Sequence, residues 1–383
     1  VLVIVGTRPE AIKMAPVIRA LAAYDAKLET RVALTGQHDE LVKDALGAFD
    51  MPIHWDLKTM RAGQSPSEVG PKVMRALHRE VLGEWTPDLV LVQGDTASTF
   101  FSALAAFLHR VRIGHVEAGL RTGDLDQPFP EEGLRQMVSR IADFHFAPTE
   151  RAQVNLLKEG IPRDRVYLTG NTVVDALLHM ADQDRMPSNE VVARLVAPGS
   201  PPFVLLTAHR RESFGRPLER IFEAARKLVT EETDVELLVP VHPSPSVRAP
   251  ARKILGKAPR IHLVDPLPYP DLVCALSRAA LVLTDSGGIQ EEAPTFGTFV
   301  LVLRDKTERP EGLEAGVAAL VGTDSDRIVA EARKRLRGDA GMAPAGSTAE
   351  RARLRLANPY GDGRAGERIA SIVAKFVAGR SSA

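Results

Sequence analysis

The stretch DLVLVQGDTASTFFSALAAFLHRVRIGHVE, residues 88–117, decides the fold. It opens on an apolar run, DLVLVQ (88–93), passes through the helical pattern TASTFFSALAAFLHR, and closes on a second run, VRIGHVE (111–117). Continuous apolar strands joined by a helix indicate a parallel sheet covered on both faces. The same unit recurs outward in both directions. VLVIV (1–5) precedes EAIKMAPVIRALAAY, TRVALT (30–35) precedes HDELVKDALGAF, and DFHFAP (143–148) and RVYLTG (165–170) continue the series. The pattern weakens over residues 183–202, which are rich in Pro, Ser and charge and read as a linker. It restarts with FVLLTA (203–208), VELLVPV (235–241), RIHLVD (260–265), ALVLTD (280–285), TFVLVL (298–303) and AALVG (318–322). The expectation is an α/β chain of two doubly wound Rossmann-like domains facing a central cleft. The segment after the helix DSDRIVAEARKRLR reads as irregular in part, and RAGERIASIVAKFVAG reads as a last helix.

Bulk properties narrow the class. A chain of 383 residues is long enough for two domains. Its 49 basic and 49 acidic side chains cancel, so nothing in the charge points to a nucleic acid or an anionic membrane. No apolar run approaches a membrane span, and VLVIVG lacks the flanks of a signal peptide. The one cysteine, Cys274, leaves no internal disulfide and no cysteine metal cluster. A cytoplasmic protein fits these features.

Ligands of open α/β sheets bind beyond the carboxyl ends of the strands, and the unusual residues gather there. GTRPEAIK brings Arg8 and Lys13, QGDT brings Asp95, and HVEAGLRTGD brings Glu117 and Arg121. In the second half, TAHRRES brings His209, Arg210 and Arg211, PVHPS brings His242, and TDSGG brings Ser286, Gly287 and Gly288. Each has a plainer reading. Asp95 could cap the next helix, Glu117 could pair with Arg121 or another rim base, and His209 could join a surface ion network with its neighbours. Ser-Gly-Gly could be a tight turn with a serine cap, and His115 and His145, inside strands, read as structural. The collection favours a ligand. Arg8, Lys13, His209 and Arg309 beside a glycine turn suit a diphosphate. Asp95, Glu117 and Glu131 suit proton transfer. Glu292, early in the helix expected after the turn, is placed to accept hydrogen bonds from ribose hydroxyls. No metal-ligand spacing is present, so cationic side chains are expected to carry the phosphate charge.

The segments GTRPEAIKMAP, QGDT, GHVEAGLRTGD, PFPEE, TGNTVVDAL, HRRESFG, TDSGGIQEEAP, RDKTERPEG, VGTD and NPYGDG follow one another in order. Together they make the chain, from about residue 1 to 370, resemble the non-hydrolysing UDP-N-acetylglucosamine 2-epimerases. The resemblance implies a GT-B-type fold with an N-terminal domain (1–170) and a C-terminal UDP-binding domain (171–363). The last helix (364–383) is then expected to pack back on the first domain. It implies reversible conversion of UDP-GlcNAc to UDP-ManNAc for surface polysaccharide, without a cofactor, by a homodimer. Carried over by motif, Asp95, Glu117, Glu131 and His209 are catalytic. Arg8, Lys13, Ser286, Gly287, Gly288, Glu292 and Arg309 hold UDP, and Gln37, Arg210 and His242 mark an effector site.

Three departures bear on that effector site. Asp39 stands where the family usually has arginine after Gln37-His38. Leu134 replaces asparagine in PEEGLR, and His242-Pro243-Ser244-Pro245 lacks the usual asparagine. These exchanges lead us to expect activation by UDP-GlcNAc to be altered or absent. The competing readings are a GT-B glycosyltransferase, a hydrolysing epimerase and a non-enzymatic nucleotide-sugar sensor.

Overall fold

The computed structural model describes residues 1–24, 28–36, 40–59, 64–183, 185–339 and 342–381. They form two compact units, one of Val1–Ala176 with Tyr360–Ala383, the other of Leu177–Pro359.

The first unit is built on a parallel sheet of seven strands in the order β3-β2-β1-β4-β5-β6-β7. The strands are β1 (Leu2–Val5), β2 (Arg31–Leu34), β3 (Trp55–Asp56), β4 (Leu89–Gln93), β5 (Arg112–Val116), β6 (Phe144–Ala147) and β7 (Val166–Leu168). Its helices are α1 (Arg8–Ala22), α2 (Glu40–Ala48), α3 (Pro66–Ala76), α4 (Ala97–Leu108), α5 (Glu131–Ile141) and α6 (Glu150–Lys158). A π-helical turn, Leu77–Leu82, continues α3. Alternate strand residues Leu2, Ile4, Val90 and Val92 pack with Val73, Leu77, Ala103, Ala106 and Val138 from α3, the π-turn, α4 and α5. The period of two in a strand leaves Val3, Val5 and Leu91 for the opposite face, and they too are fully buried.

The helix α7 (Thr172–Asp182) spans the boundary between the units. The second unit has a six-stranded parallel sheet in the order β10-β9-β8-β11-β12-β13. These are β8 (Phe203–Thr207), β9 (Glu236–Pro240), β10 (Ile261–Val264), β11 (Leu281–Thr284), β12 (Phe299–Val302) and β13 (Ala318–Leu320). Its helices are α8 (Glu190–Val196), α9 (Arg216–Glu231), α10 (Pro245–Leu255), α11 (Tyr269–Arg278) and α12 (Gly287–Glu292). They continue with α13 (Pro310–Glu314), α14 (Ser325–Arg337) and α15 (Thr348–Leu356). Val204, Leu206, Leu237, Val239, Leu281 and Leu283 meet Leu218, Phe222, Ala225 and Leu228 of α9 in its core. The strand order of this sheet, 3-2-1-4-5-6 in local numbering, is that of the Rossmann fold.

The final helix, α16 (Ala365–Ser381), belongs to the first unit and lies along α1. The Gly366 N–H donates to Asp175 (2.8 Å), and Arg368 donates to the Thr169 carbonyl (2.9 Å).

One reading of the sequence needs correcting. Residues 183–202 are not a plain linker, because α8 lies within them. Asn189 caps it through the N–H groups of Val191 and Val192, and buried Asp271 holds Ser188 and Asn189 from afar. The segment after α14, read as irregular in part, is irregular on either side of α15, which Ser347 caps.

His115 and His145 are paired residues of β5 and β6, and both are buried. Burial pulls His115 down to about 4 and His145 down to about 3. The unfolded chain takes up these protons as pH falls below about 6.5, while the folded chain stays neutral until much lower pH. Stability of the first unit is therefore full above that value and declines as pH drops toward 4. In urea titrations between pH 7.5 and 4.5, His145→Phe should lose about 2 kcal/mol less than the unaltered protein over that range. Equal losses in the two proteins would remove His145 as a cause of acid lability.

Candidate active site

The first unit gathers its polar residues at the carboxyl ends of β1, β4 and β5. Thr7 caps α1, and Arg8-Pro9 opens its first turn, an arrangement that suits proline. Glu10 completes a capping box. Its buried carboxylate accepts from the N–H of Gly6 (2.6 Å) and Thr7 (3.3 Å) and from the Thr96 hydroxyl (2.8 Å). Burial pushes Glu10 up to about 7 in spite of these bonds. The start of α1, which carries Arg8, is thereby tied to the loop that carries Asp95.

One turn along α1, Lys13 forms an ion pair with Glu117, whose second oxygen accepts from the Gln93 amide. Glu117 has φ of 65°, a left-handed backbone that a non-glycine residue adopts at a cost. Asp95 follows β4 and pairs with Arg135 of α5. Arg135 also bonds Glu132 (3.2 Å). Fully buried Glu132 further accepts from the N–H of Thr122 (3.1 Å) and Gly123 (3.4 Å) and from Gln136 (2.9 Å). Burial works against the Glu132 carboxylate, but these donors and Arg135 hold it below its ordinary range. Glu131 is the first residue of α5 and is half-buried.

In the second unit the centre is Asp285, fully buried just beyond β11. Its carboxylate accepts from the backbone N–H of His209 (2.9 Å) and Arg210 (2.9 Å). The two rim segments TAHRR and TDSGG are thus locked side by side. The His209 ring lies 3.7 Å from Asp285 and stacks on His242, with centroids 5.5 Å apart and planes at 8°. Burial pulls the His209 imidazole below its ordinary pKa; Asp285 opposes that shift, while His242 and Arg210 add to it.

The Ser286 N–H donates to Thr284 (3.0 Å), closing the turn that starts α12. A methyl group at Gly287 would stand 3.6 Å from Nη2 of Arg210 and 3.8 Å from Nη2 of Arg309. Two guanidinium groups therefore converge over bare backbone, a setting made for an anion. Arg309 is aimed by an ion pair with buried Glu291 and by its own N–H bond to Thr307 (3.1 Å). The same loop is held by Arg304. Burial works against the Glu308 carboxylate, yet its bonds with Arg304 bring it to about 2. Glu292 ends α12, with Oε1 3.5 Å from where a Gly288 methyl would be.

Several sequence expectations change against this geometry. Thr96, not Asp95, caps α4, by accepting from the Thr99 N–H (3.2 Å). Of the pairings expected for Glu117, the one with another rim base, Lys13, is formed, while Arg121 binds Glu159 (2.6 Å). Glu212 pairs with Arg304 (2.8 Å), so the ion network expected around His209 forms elsewhere. Glu292 sits at the end of its helix rather than early in it. Arg210 and His242 stand beside Gly287 and His209, while Gln37 lies outside the described residues.

Sequence reasoning passed over Glu10, Gln93, Glu132, Arg135 and Asp285. Glu10 had a local signal, the Thr-x-x-Glu spacing of a capping box. The others are recognisable only through distant partners.

Comparison with known proteins fits this arrangement. A family model described as UDP-N-acetylglucosamine 2-epimerase matches residues 20–374. The chain is 46% identical over 376 residues to the UDP-N-acetylglucosamine 2-epimerase of Escherichia coli (strain K12), covering 96% of each chain. It is similar to the crystal structure of UDP-GlcNAc 2-epimerase from Neisseria meningitidis bound to UDP-GlcNAc. The TM-score is 0.85 and the identity 38%, over 98% of this chain and 99% of that one. It is also similar to the Methanocaldococcus jannaschii UDP-GlcNAc 2-epimerase in complex with UDP-GlcNAc and UDP. There the TM-score is 0.77 and the identity 31%, again over 98% and 99%. With two Rossmann-like units, a doubly cationic glycine turn and a match along nearly its whole length, the chain belongs to the UDP-N-acetylglucosamine 2-epimerase family, a family of isomerases.

Proposed function

We propose that the protein interconverts UDP-GlcNAc and UDP-ManNAc by eliminating and re-adding UDP, without hydrolysis. The C2 proton of the sugar has no adjacent carbonyl to stabilise a carbanion, so simple deprotonation is too slow. Elimination avoids that species. A carboxylate takes the C2 proton, the C–H electron pair forms the C1–C2 double bond, and the C1–O bond breaks with its electrons leaving on UDP. The bound product is a 2-acetamidoglucal. UDP oxygen then adds to C1 as a second group delivers a proton to the opposite face of C2, so the overall change is redox-neutral.

Asp95, Glu117 and Glu131 are assigned to the proton transfers. His209, Ser286, Gly287, Gly288, Glu292, Arg309 and Arg8 are assigned to UDP, with Lys13 supporting Glu117. The observation that carries the reading is Glu117, held by Lys13 and Gln93 on a backbone bent to φ of 65° at a strand's carboxyl end. Strain of this kind is retained where a side chain must be aimed. We further assign the protein to the cytoplasm, as a homodimer supplying polysaccharide precursors. Exposed Phe107 and Leu108 on α4 and Met137 on α5 support a homodimer.

Proton NMR of the protein with UDP-GlcNAc in D₂O tests the reaction. UDP-ManNAc should appear, with deuterium entering C2 of both sugars. Free ManNAc with UDP would mean hydrolysis, sugar on an added acceptor would mean transfer, and tight binding without exchange would mean a sensor.

A further inference from the structure

We propose that Arg135 is a positioning residue that fixes Asp95 relative to Glu131. The inference rests on the assignment of both carboxylates to proton transfer. Arg135 is 7% exposed and lies on α5, one turn beyond Glu131 and Glu132. Nη2 holds Asp95, in the loop after β4, and Nη1 holds Glu132. One planar guanidinium thus bridges the loop that carries one acid/base group and the helix start that carries another.

The alternative is an arginine that merely neutralises buried Glu132. Two features weigh against it. Glu132 already has three other donors, in Thr122, Gly123 and Gln136. The Nε–H of Arg135 is buried without a hydrogen-bond partner among the described residues. An arginine present for its own satisfaction would not leave a donor orphaned. Its orientation is dictated by the two carboxylates it spans. The Asp95 side chain is 28% exposed and sits in a loop, so without that bond it is free to swing toward water. Exchange of a proton between two faces of one carbon depends on the spacing of the groups that take and give it.

The test uses the full chain, with turnover of UDP-GlcNAc followed by NMR and UDP binding followed by calorimetry. Arg135→Lys keeps the charge but lacks the fork that reaches both carboxylates. Its kcat should fall about a hundredfold while KM and UDP affinity move less than about threefold. Millimolar guanidinium should restore kcat of Arg135→Ala about tenfold and leave the double variant with Asp95→Asn unchanged. Should Arg135→Ala not fold, the kcat-against-KM split of Arg135→Lys decides alone. A kcat for Arg135→Lys within about threefold of the unaltered protein overturns the proposal, and so does a parallel loss of kcat and UDP affinity. Asp95→Asn separates the two levels. Full turnover in that variant overturns the role of Asp95 itself, whereas an inactive Asp95→Asn beside an active Arg135→Lys overturns only the role of Arg135.

Discussion

Exchanging Glu117 for glutamine should lower turnover by about three orders of magnitude and leave UDP binding within a few fold. The amide has nearly the shape of the carboxylate and can still accept from Gln93, so the left-handed turn at Glu117 is kept. What it loses is the charge that pairs with Lys13 and, on the proposed assignment, the capacity to take or give a proton at C2. In the proposed reaction UDP is assigned to residues of the other unit, chiefly around Gly287, where Arg210 and Arg309 converge. Turnover measured by NMR and UDP affinity measured by calorimetry separate these effects. A variant that kept more than about a tenth of the rate would exclude Glu117 from the proton transfers.

Gly119→Ala should cost about 3 kcal/mol or more of stability and lower the melting temperature by about 6–12 °C. Gly119 has φ of 92°, and a Cβ there would lie 2.2 Å from the Ala152 carbonyl oxygen and 2.9 Å from Leu156. Neither neighbour can yield cheaply, since the first is helix backbone and the second is fully buried. Asn155 also donates to the Gly119 carbonyl (3.0 Å), so α6 would be displaced as a body. Glu117 stands two residues upstream, and kcat should fall with stability. Gly123→Ala is the control. It has φ of 79° but open space around the added methyl, so it should cost only about 1 kcal/mol. Equal melting temperatures for the two variants would show that the contact with α6 is not close.

The fold was legible because each central strand is a short apolar run and each crossover a longer amphipathic one. The strand β3, of two residues, is too short to carry a pattern, and α8 was hidden among Pro, Ser and charged residues. Its cap depends on Asp271, more than eighty positions away. The candidate site was legible to the extent that its residues follow strand ends: Asp95, Glu117, His209 and Ser286 all do. Their partners were not legible. Lys13 and Glu117 are 104 positions apart, and Asp95 and Arg135 are 40 apart. Which base meets which acid is settled by how helices dock on the sheet, and no local spacing records that.

The return of α16 to α1 has a bearing on how the protein is made. The second unit is one continuous stretch, whereas the first is completed by residues that are synthesised only after the whole of the second. Throughout translation of residues 177–359 the α1 flank lacks its cover and is open to chaperones and to self-association. Premature termination before Tyr360 would therefore spare the unit that carries the Gly287 turn and cripple the unit that carries Asp95 and Glu117.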